Sequence, residues 1–566
     1  MAAVLTLATA SALLKLMFIP AYRSTDFEVH RNWLAITHSL PVSKWYVEDT
    51  SEWTLDYPPL FAWFEWILSQ VAAFVDPGML QVTNLNYASD ATVMFQRVSV
   101  ILTDFVYYYA IKEFQELAIF NTNKQSGATY SAHLIPILLI FNFGLFIVDH
   151  IHFQYNGILF GIMLLSIVRI LQERTIEGAF WFSVLLNMKH IFMYIAPAYF
   201  VYLLRTYCFN RKKPVSLFTF SKTHFVNLAS IVLMVFGISF GPFIYHHQIG
   251  QVLSRLFPFK RGLVHAYWAP NMWALYNGLD KLFTIVGLKF GCLHPHTIPK
   301  ASMTGGMVQE FSHMVMPSIA PLVTMILSAC AMVPALVLLW DLKSPLAFVR
   351  AIVLCAFSSF LFGWHVHEKA ILMIIIPMTL LVKYSQEDAK LFLILSTTGF
   401  ASLFPLLFTP FENIIKVLLL LQATIFAFLS LKDFYGKGSK SSSMSSRSVL
   451  GSTLGSSSLA LSLREFHLPL LNILESIYLW GLVGLNIFNS GFPTWLLGLD
   501  IMSRLPFLPL MLTSVYCAVG VIYCWLYFYF LLCLDAESSD KQQKSDRCSY
   551  GGSDSSKSSS LQKKTR

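Results

Sequence analysis

Long apolar runs recur along the whole 566-residue chain, and they constrain its fold more than any other feature. Two of the clearest lie between Ser131 and Val148 and between Ile319 and Trp340. A helix needs about 20 apolar residues to cross the hydrocarbon of a bilayer. Because these runs are continuous rather than alternating, they favour helices over the strands of a membrane barrel. The sequence therefore predicts an all-α integral membrane protein that crosses the bilayer many times.

The composition agrees with a membrane protein and excludes several other classes. Charged residues make up 13% of the chain, whereas a soluble domain carries about 25%. The net charge of +9 does not indicate nucleic acid, because the basic residues sit in short loops where they set membrane topology. The eight cysteines include no C-x-x-C pair, so we predict neither a zinc site nor a disulfide framework.

Hydropathy windows predict about fourteen membrane helices. The run from Ala2 to Pro20 lacks a basic leader and indicates a retained first helix rather than a signal peptide. The segment from Pro58 to Val75 is rich in Trp and Phe but interrupted by Glu65 and Gln70, which favours a helix lying in the interface. The predicted spans are 2–20, 96–114, 131–148, 156–171, 178–189, 190–204, 224–245, 315–340, 346–363, 369–383, 391–409, 412–431, 467–488 and 506–533.

The distribution of basic loops predicts the topology. With residues 58–75 held at the interface, the basic loop from Arg205 to Lys222 falls on the same side as the N-terminus, and so do the other strongly basic loops. Such loops are expected in the cytosol. If residues 58–75 crossed the membrane, every later loop would change sides. We therefore predict a cytosolic C-terminus and a luminal position for the polar motifs described below.

Two segments of low complexity are expected to be disordered, because neither can bury a core. One is the Ser-rich cytosolic loop 437–458, which interrupts a membrane unit spanning residues 1–535. The other is the cytosolic tail, residues 536–566. The tail ends Lys563-Lys564-Thr565-Arg566, which resembles the dibasic signal that retains membrane proteins in the endoplasmic reticulum.

Ionisable residues gather in five loops on the predicted non-cytosolic side, at 25–33, 53–59, 149–156, 255–262 and 364–369. Charges at a membrane edge are costly unless they are paired or used. A transporter would instead place charges near the middle of paired, inverted halves. An isolated pair such as Asp26 and Glu28 is also typical of a solvated helix end. The five loops together favour an enzyme site over a transporter or a scaffold.

The residue types in these loops suit group transfer from a lipid-borne phosphate donor. A carboxylate at the membrane surface can act as general base toward a sugar hydroxyl, and cationic and imidazole donors can stabilise the departing phosphate. Neither a P-loop nor a Rossmann glycine pattern occurs, so no nucleotide site is predicted. Asp26 and Glu28 could also ligate a divalent cation, but two carboxylates alone are a weak signal.

Four motifs resemble those of the endoplasmic-reticulum glucosyltransferases that use dolichyl-phosphate glucose, a family of the multi-spanning GT-C class. They are Asp26-Phe27-Glu28-Val29-His30-Arg31-Asn32-Trp33, Leu55-Asp56-Tyr57-Pro58-Pro59, His152-Phe153-Gln154-Tyr155-Asn156 and Val366-His367-Glu368-Lys369.

The resemblance extends to about residue 535. It implies a GT-C-type bundle with luminal interfacial helices in the endoplasmic-reticulum membrane. It also implies α-1,3 glucosyl transfer, with inversion, from dolichyl-phosphate glucose to an oligosaccharide on dolichyl diphosphate. The stretches 24–41 and 255–276 are most similar to members that act on the monoglucosylated oligosaccharide. The first transfer, onto the unglucosylated oligosaccharide, is the alternative.

The resemblance also implies residue roles. Asp26 is expected to be the catalytic base, and His367 to contact the donor phosphate. We predict Lys369 and Arg261 as further phosphate partners only because they are positively charged and lie on the same predicted side of the membrane. The glucosyl members are metal-independent, so no metal or cofactor is expected. Residues expected to bind substrate or shape the site are Glu28, Arg31, Asp56, Tyr57, Asp149, His152 and Gln154.

Overall fold

The computed structural model describes residues 2–117, 129–209, 216–257, 262–265, 267–294, 313–442, 466–490 and 505–551. Within these ranges the chain forms helices and loops, with isolated β-bridges and no β-strand. The predicted all-α class is therefore confirmed.

The α-helices follow one another along the whole chain. The first half contains α1 Ala2–Leu16, α2 Asp26–Ser39, α3 Pro59–Val75, α4 Asp90–Thr103, α5 Phe105–Gln115, α6 Thr129–Ile140, α7 Phe143–Leu145, α8 Asn156–Leu171, α9 Thr175–Met188, α10 Ala196–Leu203, α11 Lys222–Tyr245, α12 Ile249–Leu256 and α13 Met272–Lys289. The second half contains α14 Pro321–Leu342, α15 Pro345–Phe362, α16 Leu372–Thr379, α17 Gln386–Ala401, α18 Pro410–Ser442, α19 Ile473–Asn489 and α20 Leu508–Gly551.

Short helical segments of other types connect these helices. Two are π-helices, Phe146–Phe153 and Leu204–Cys208. The 3₁₀ segments are Val42–Lys44, Pro77–Leu80, His190–Ile195, Leu217–Thr219, Glu368–Ile371 and Phe404–Leu406.

Eight helical segments in the described ranges are long and apolar enough to cross a membrane, which confirms a multi-pass protein. Other predicted spans coincide with shorter apolar helices such as Asn156–Leu171 and Ile473–Asn489. The total of about fourteen stays a prediction. Residues Pro59–Val75 form a helix, and its interfacial position stays a prediction too. The eight segments are Ala132–Phe153, His190–Cys208, Lys222–Tyr245, Pro321–Leu342, Pro345–Phe362, Gln386–Leu406, Pro410–Gly436 and Leu508–Glu537.

Burial divides these helices into an inner and an outer set. Every residue of α15 from Ala347 to Leu361 is buried, and α8 and α17 are almost as enclosed. Only about a fifth of the residues in the apolar windows of α11, α14 and α18 are buried. A helix that is apolar all round is suited either to a protein core or to lipid. The inner helices therefore hold the loops at their ends in place, while the outer helices are expected to face lipid.

One predicted helix is interrupted and two helices run further than predicted. The predicted span 96–114 divides at Asp104 into α4 and α5, and the buried Asp104 accepts a hydrogen bond from Lys15 Nζ at 2.6 Å. Helix α18 continues to Ser442 and α20 to Gly551, and the disorder of 437–458 and 536–566 stays a prediction. Residues 443–458 and 552–566 lie outside the described ranges.

Candidate active site

Asp26 is the centre of a compact polar cluster. It is the first residue of α2, where the partial positive charge of the helix N-terminus favours an ionised carboxylate. Its Oδ2 accepts hydrogen bonds from Lys369 Nζ at 2.6 Å and from Gln154 Nε2 at 2.7 Å. His152 Nε2 lies 3.2 Å from the same oxygen. All three contacts converge on Oδ2.

The charges around Asp26 keep it ionised. Burial by itself would raise the pKa of this carboxyl. The charge of Lys369, together with the hydrogen bonds from His152 and Lys369, outweighs burial and holds the pKa of Asp26 well below its usual range. The carboxylate is therefore available as a proton acceptor over the whole physiological pH range.

A rare backbone conformation brings His152 and Gln154 to the same carboxylate. His152 lies near the end of the π-helix Phe146–Phe153, and such segments are frequent at functional sites. Phe153 follows with φ of 92°, a region that is strained for a non-glycine residue. Gln154 then has extended backbone angles. The strain at Phe153 is thus located between two side chains that contact Asp26.

A second set of hydrogen bonds holds the Gln154 side chain in position. Asn156 Nδ2 donates to Gln154 Oε1 at 2.7 Å and to Asp149 Oδ1 at 2.8 Å. The fully buried Asp149 also accepts the backbone N–H of Gly157 at 2.6 Å. Lys189 Nζ donates to Asn156 Oδ1 at 3.0 Å. Asp149, which was predicted from sequence to shape the site, therefore fixes the orientation of Asn156 and reaches Asp26 only through Asn156 and Gln154.

Tyr57 and Asp56 lie near Lys189, the residue that donates a hydrogen bond to Asn156. The Lys189 Nζ atom stands 4.8 Å from the centre of the Tyr57 ring, a cation–π contact. The Tyr57 carbonyl accepts a hydrogen bond from the Tyr46 hydroxyl at 2.6 Å. Asp56 is half-buried, and its charge acts on both Lys189 and Tyr57. The charges of Asp56 and Asp26 both act on Tyr57, so these residues border the cluster.

Imidazoles gather next to Lys369. His367 Nδ1 lies 2.8 Å from the buried Glu368 carboxylate, and its ring centre is 4.1 Å from that of His265. Isolated bridges, Val264 to Val366 and Trp268 to His367, hold the two segments side by side. Burial, reinforced by the charge of Lys369, lowers the pKa of His367 well below its usual value. Without a ligand, this imidazole is therefore neutral at physiological pH.

The two imidazoles and the Glu368 carboxylate together have the composition of a metal site. The ligand atoms of His265, His367 and Glu368 lie within 4.8 Å of one another. Two imidazoles and a carboxylate are a ligand set that zinc accepts. Asp26 and Glu28, the pair considered from sequence, do not form a second such site, because Glu28 turns away from Asp26.

Glu28 and Arg31 form a buried structural contact rather than a lining of the cluster. Arg31 Nη2 and Nε donate to the two Glu28 oxygens at 2.7 and 2.8 Å. Arg31 Nη1 donates to the carbonyls of Met79 and Gln81 at 3.0 and 3.1 Å. The pair therefore fastens α2 to residues 79–81. If these residues shape the site, as predicted from sequence, they do so through the position of α2.

Arg97 holds together the two segments that carry Asp26 and His152. Its guanidinium is buried and donates to the carbonyls of His150 at 2.8 Å and Ile151 at 3.0 Å. It also donates to the carbonyl of Tyr22 at 2.9 Å. Sequence reasoning missed Arg97, since its partners are backbone carbonyls that no motif reveals.

Sequence reasoning also missed Lys189 and His265, and one predicted residue lies outside the described ranges. Lys189 interrupts a weakly apolar pair of predicted helices, which was an available signal. His265 follows the loop of Arg261 but belongs to no charge-rich motif. Arg261 itself is not among the described residues.

The fold and the cluster define a polytopic membrane protein whose loops assemble a polar, enzyme-like site at helix ends. The model of the ALG6, ALG8 glycosyltransferase family matches residues 11–528, and the chain belongs to this family.

Several relatives are similar over nearly their whole length. A mouse protein named dolichyl pyrophosphate Glc1Man9GlcNAc2 alpha-1,3-glucosyltransferase is 51% identical over 92% of this chain and 94% of its own. The Arabidopsis thaliana protein of that name is 42% identical over 91% of this chain and 94% of its own. A Drosophila melanogaster relative, named as the probable enzyme, is 48% identical over 91% of this chain and 92% of its own.

Proposed function

We propose that this protein transfers glucose from dolichyl-phosphate glucose to the monoglucosylated oligosaccharide on dolichyl diphosphate, forming an α-1,3 linkage. The observation that carries the proposal is the Asp26 carboxylate, ionised at a helix N-terminus and surrounded by Lys369, His152 and Gln154. The names of the relatives support the acceptor and the linkage. The donor follows from the resemblance of the motifs.

The proposed reaction is a single displacement. Asp26 Oδ1 accepts the proton of the acceptor hydroxyl while its oxygen attacks the anomeric carbon of the glucose. The bond from that carbon to the phosphate oxygen breaks, and dolichyl phosphate leaves. Because the donor is β-linked and the product α-linked, one displacement accounts for the inversion. General-base catalysis of this kind contributes about 10²- to 10⁴-fold to a rate.

Lys369 links donor binding to the basicity of Asp26. In the structure its ammonium group contacts the Asp26 carboxylate and lowers the pKa of Asp26. A donor phosphate at the imidazole cluster competes for the same ammonium group. As Lys369 turns to the phosphate, the pKa of Asp26 rises, and Asp26 becomes a stronger base when a donor is present.

His367 and Glu368 form a carboxylate–imidazole pair suited to an anion. An arriving phosphate favours the protonated imidazole, in which both ring nitrogens donate. Nε2 then donates to the phosphate, and the Glu368 carboxylate, 2.8 Å from Nδ1, stabilises the positive charge of the ring. This arrangement needs no metal, since imidazolium and ammonium groups stabilise the leaving phosphate.

The metal-independent reaction can be tested directly. We expect full transfer activity after dialysis of the purified protein against a chelator, and no gain on adding zinc, magnesium or manganese. Activity that falls with chelation and returns with one of these ions would assign the His265, His367 and Glu368 cluster to a metal instead.

The decisive experiment on the base measures glucose transfer by the purified protein in detergent. Asp26→Asn removes the proton acceptor but keeps the shape, so we expect activity to fall by about 10³-fold or more. Glu52→Gln, at an exposed carboxylate of the neighbouring loop, is the matched control and should retain activity. An active Asp26→Asn protein would overturn the role of Asp26. Activity on only the unglucosylated acceptor would reassign the step to the first transfer.

A further inference from the structure

The proposed chemistry uses Lys369 but gives no role to Lys189, a second lysine near the Asp26 cluster. Lys189 lies directly after α9 and before the 3₁₀ segment His190–Ile195, and its side chain is partly exposed. A charge at the end of an apolar helix is costly unless it is paired or used, and residues of this kind usually mark functional sites.

The contacts of Lys189 leave part of its ammonium group available. An ammonium group has three N–H donors and no acceptor. Lys189 Nζ donates to Asn156 Oδ1 at 3.0 Å, and in the described part of the chain it has neither a further hydrogen-bond acceptor nor an ion-pair partner. The Tyr57 ring, centred 4.8 Å from Nζ, covers one side of the group. The remaining donors can therefore bind a ligand.

The charges around Lys189 favour a neutral ligand over an anion. The carboxylates of Asp26, Asp56 and Asp149 all act on the ammonium group, and Lys369 acts on it with the opposite sign. A phosphate at Lys189 would be repelled by these carboxylates, whereas a hydroxyl carries no charge. A hydroxyl can accept a hydrogen bond from an ammonium group and donate one to a carboxylate. The ligand chemistry that fits is therefore a polyol such as a sugar.

Hydrogen bonds connect Lys189 to the proposed base. Asn156, which accepts from Lys189, donates to Gln154 Oε1 at 2.7 Å, and Gln154 Nε2 donates to Asp26 Oδ2 at 2.7 Å. Lys369 contacts the same carboxylate oxygen at 2.6 Å from the segment that carries the imidazole cluster. Lys189 is thus linked to Asp26 through two amide side chains and not through the groups assigned to the donor phosphate.

We propose that Lys189 binds a hydroxyl of the acceptor sugar and so determines which hydroxyl of that sugar faces Asp26. The proposal rests on the proposed function, in which the 3-hydroxyl of the acceptor sugar attacks the donor. The hydroxyls at positions 2 and 4 are its neighbours on the ring, and Lys189 binds one of these two. A hydrogen bond from a charged donor changes an equilibrium constant by about tenfold or more, enough to select one orientation of the sugar.

Acceptors that lack the 2- or the 4-hydroxyl of the reacting sugar provide the first test. With the wild-type protein, we expect loss of the hydroxyl that Lys189 binds to raise the KM of the acceptor by about tenfold. Lys189→Met should raise the KM of the intact acceptor by about the same factor, with no further increase for the matching deoxy acceptor. The KM of the donor should stay unchanged. Lys44→Met, at an exposed lysine of the 3₁₀ segment Val42–Lys44, is the matched control and should change neither KM.

The same variants separate binding of the acceptor from the role of Lys189 in orienting Asn156. An effect that acts only through Asn156 lowers kcat by the same factor for every acceptor. A fall in kcat alone would therefore overturn the proposal. So would increases in KM that multiply when Lys189→Met is combined with either deoxy acceptor. An increase in the KM of the donor, with that of the acceptor unchanged, would assign Lys189 to the phosphate instead.

Chemical labelling of the wild-type protein keeps the test independent of how Lys189→Met folds. Acetic anhydride modifies accessible lysines, and mass spectrometry of the peptides measures the labelling of each one. We expect the lipid-linked acceptor alone to protect Lys189 and not Lys44, and dolichyl phosphate alone to leave the labelling of Lys189 unchanged. Equal labelling of Lys189 with and without the acceptor would overturn the proposal, and so would protection by dolichyl phosphate alone.

The labelling experiment contains no glucose donor, so its outcome does not depend on transfer. A wild-type protein whose Lys189 is protected by the acceptor, but which transfers no glucose when the donor is added, would contradict the proposed function and not the binding site. Transfer without protection of Lys189 would contradict the binding site and not the proposed function.

Discussion

At the scale of single residues, the contact between Asp26 and Lys369 determines how the activity should depend on pH. Lys369→Met removes the cation that lowers the pKa of Asp26 but leaves the burial that raises it. The pKa of Asp26 should therefore rise. Because the base works only when ionised, a higher pKa means that a higher pH is needed. We expect the acidic limb of the kcat/KM profile to shift to higher pH, and the maximum activity to fall.

The control for this prediction is Lys369→Arg, which keeps the positive charge. Its acidic limb should stay closer to that of the wild type, even if the different shape of the guanidinium reduces activity. Profiles measured from weakly acidic to neutral pH, under single-turnover conditions, separate the two effects. An acidic limb that does not move in Lys369→Met would contradict the assignment of Lys369 as the partner of Asp26.

Motifs place some of their residues in the cluster and others in structural contacts nearby, for a geometric reason. Asp26 and Glu28 are neighbours in sequence, but residues two apart on a helix do not face each other. Once Asp26–Ser39 is a helix, Glu28 turns to Arg31 instead. Lys189 reaches the cluster from a distant segment, and the sequence does not encode such proximity in any local pattern.

At the scale of elements, Arg97 on α4 joins the segment before Asp26 to the π-helix that carries His152, alongside two hydrogen bonds from Ser24 to the His152 carbonyl. Arg97→Met would leave the carbonyls of Tyr22, His150 and Ile151 without their donor. Displacing a reacting group by about 1 Å costs roughly 10²-fold in rate. We therefore expect kcat to fall by roughly that factor, with a much smaller change in KM.

The comparison variants for Arg97 separate positioning from a general loss of folding. Arg97→Lys retains a donor and should recover part of kcat, whereas Arg174→Met, at a largely exposed arginine, should leave kcat unchanged. Thermal unfolding of each purified variant reports stability separately. If Arg97→Met lowers only the amount of folded protein and not the kcat of that protein, Arg97 is structural rather than positioning.

The sequence predicted the helices that are apolar throughout. It did not predict the helices whose stability depends on contacts with distant parts of the chain. Continuous apolar runs predicted α15 to within one residue at each end, and α14 and α17 with end errors of two to eight residues. Helices α2 and α13 are too polar for a hydropathy window, since their stability depends on packing and on contacts such as Glu28 with Arg31. Asp104, at the break between α4 and α5, likewise pairs with Lys15, far away in the sequence.

At the scale of the whole molecule, hydropathy and the basic loops predicted a polytopic protein with its polar motifs on one side. Four of these motifs do meet in the structure, at the Asp26 cluster and the imidazoles beside it. Which compartment that side faces depends on every crossing being counted correctly. Helix α3, Pro59–Val75, is the element on which this count depends most.

Single substitutions that create glycosylation acceptors test that orientation. The chain contains no N-x-S/T acceptor of its own. Asp49→Asn creates one with Thr50 and Ser51 in an exposed loop before α3, and Gln543→Asn creates one with Lys544 and Ser545 in the tail. In a cell, only acceptors on the luminal side are modified. We expect a glycosidase-sensitive increase in mass for Asp49→Asn and none for Gln543→Asn.

The pair of acceptors also determines whether α3 crosses the membrane. The predicted topology has an odd number of crossings between residues 49 and 543, which places the two acceptors in different compartments. If α3 were an additional span, both would face the same compartment, and both or neither would be modified. The C-terminus would then be luminal, and the segments that meet at Asp26 would begin from opposite sides of the bilayer. Because Lys369 and Asp26 lie 2.6 Å apart, they must share one side, and α3 is therefore expected to stay in the interface.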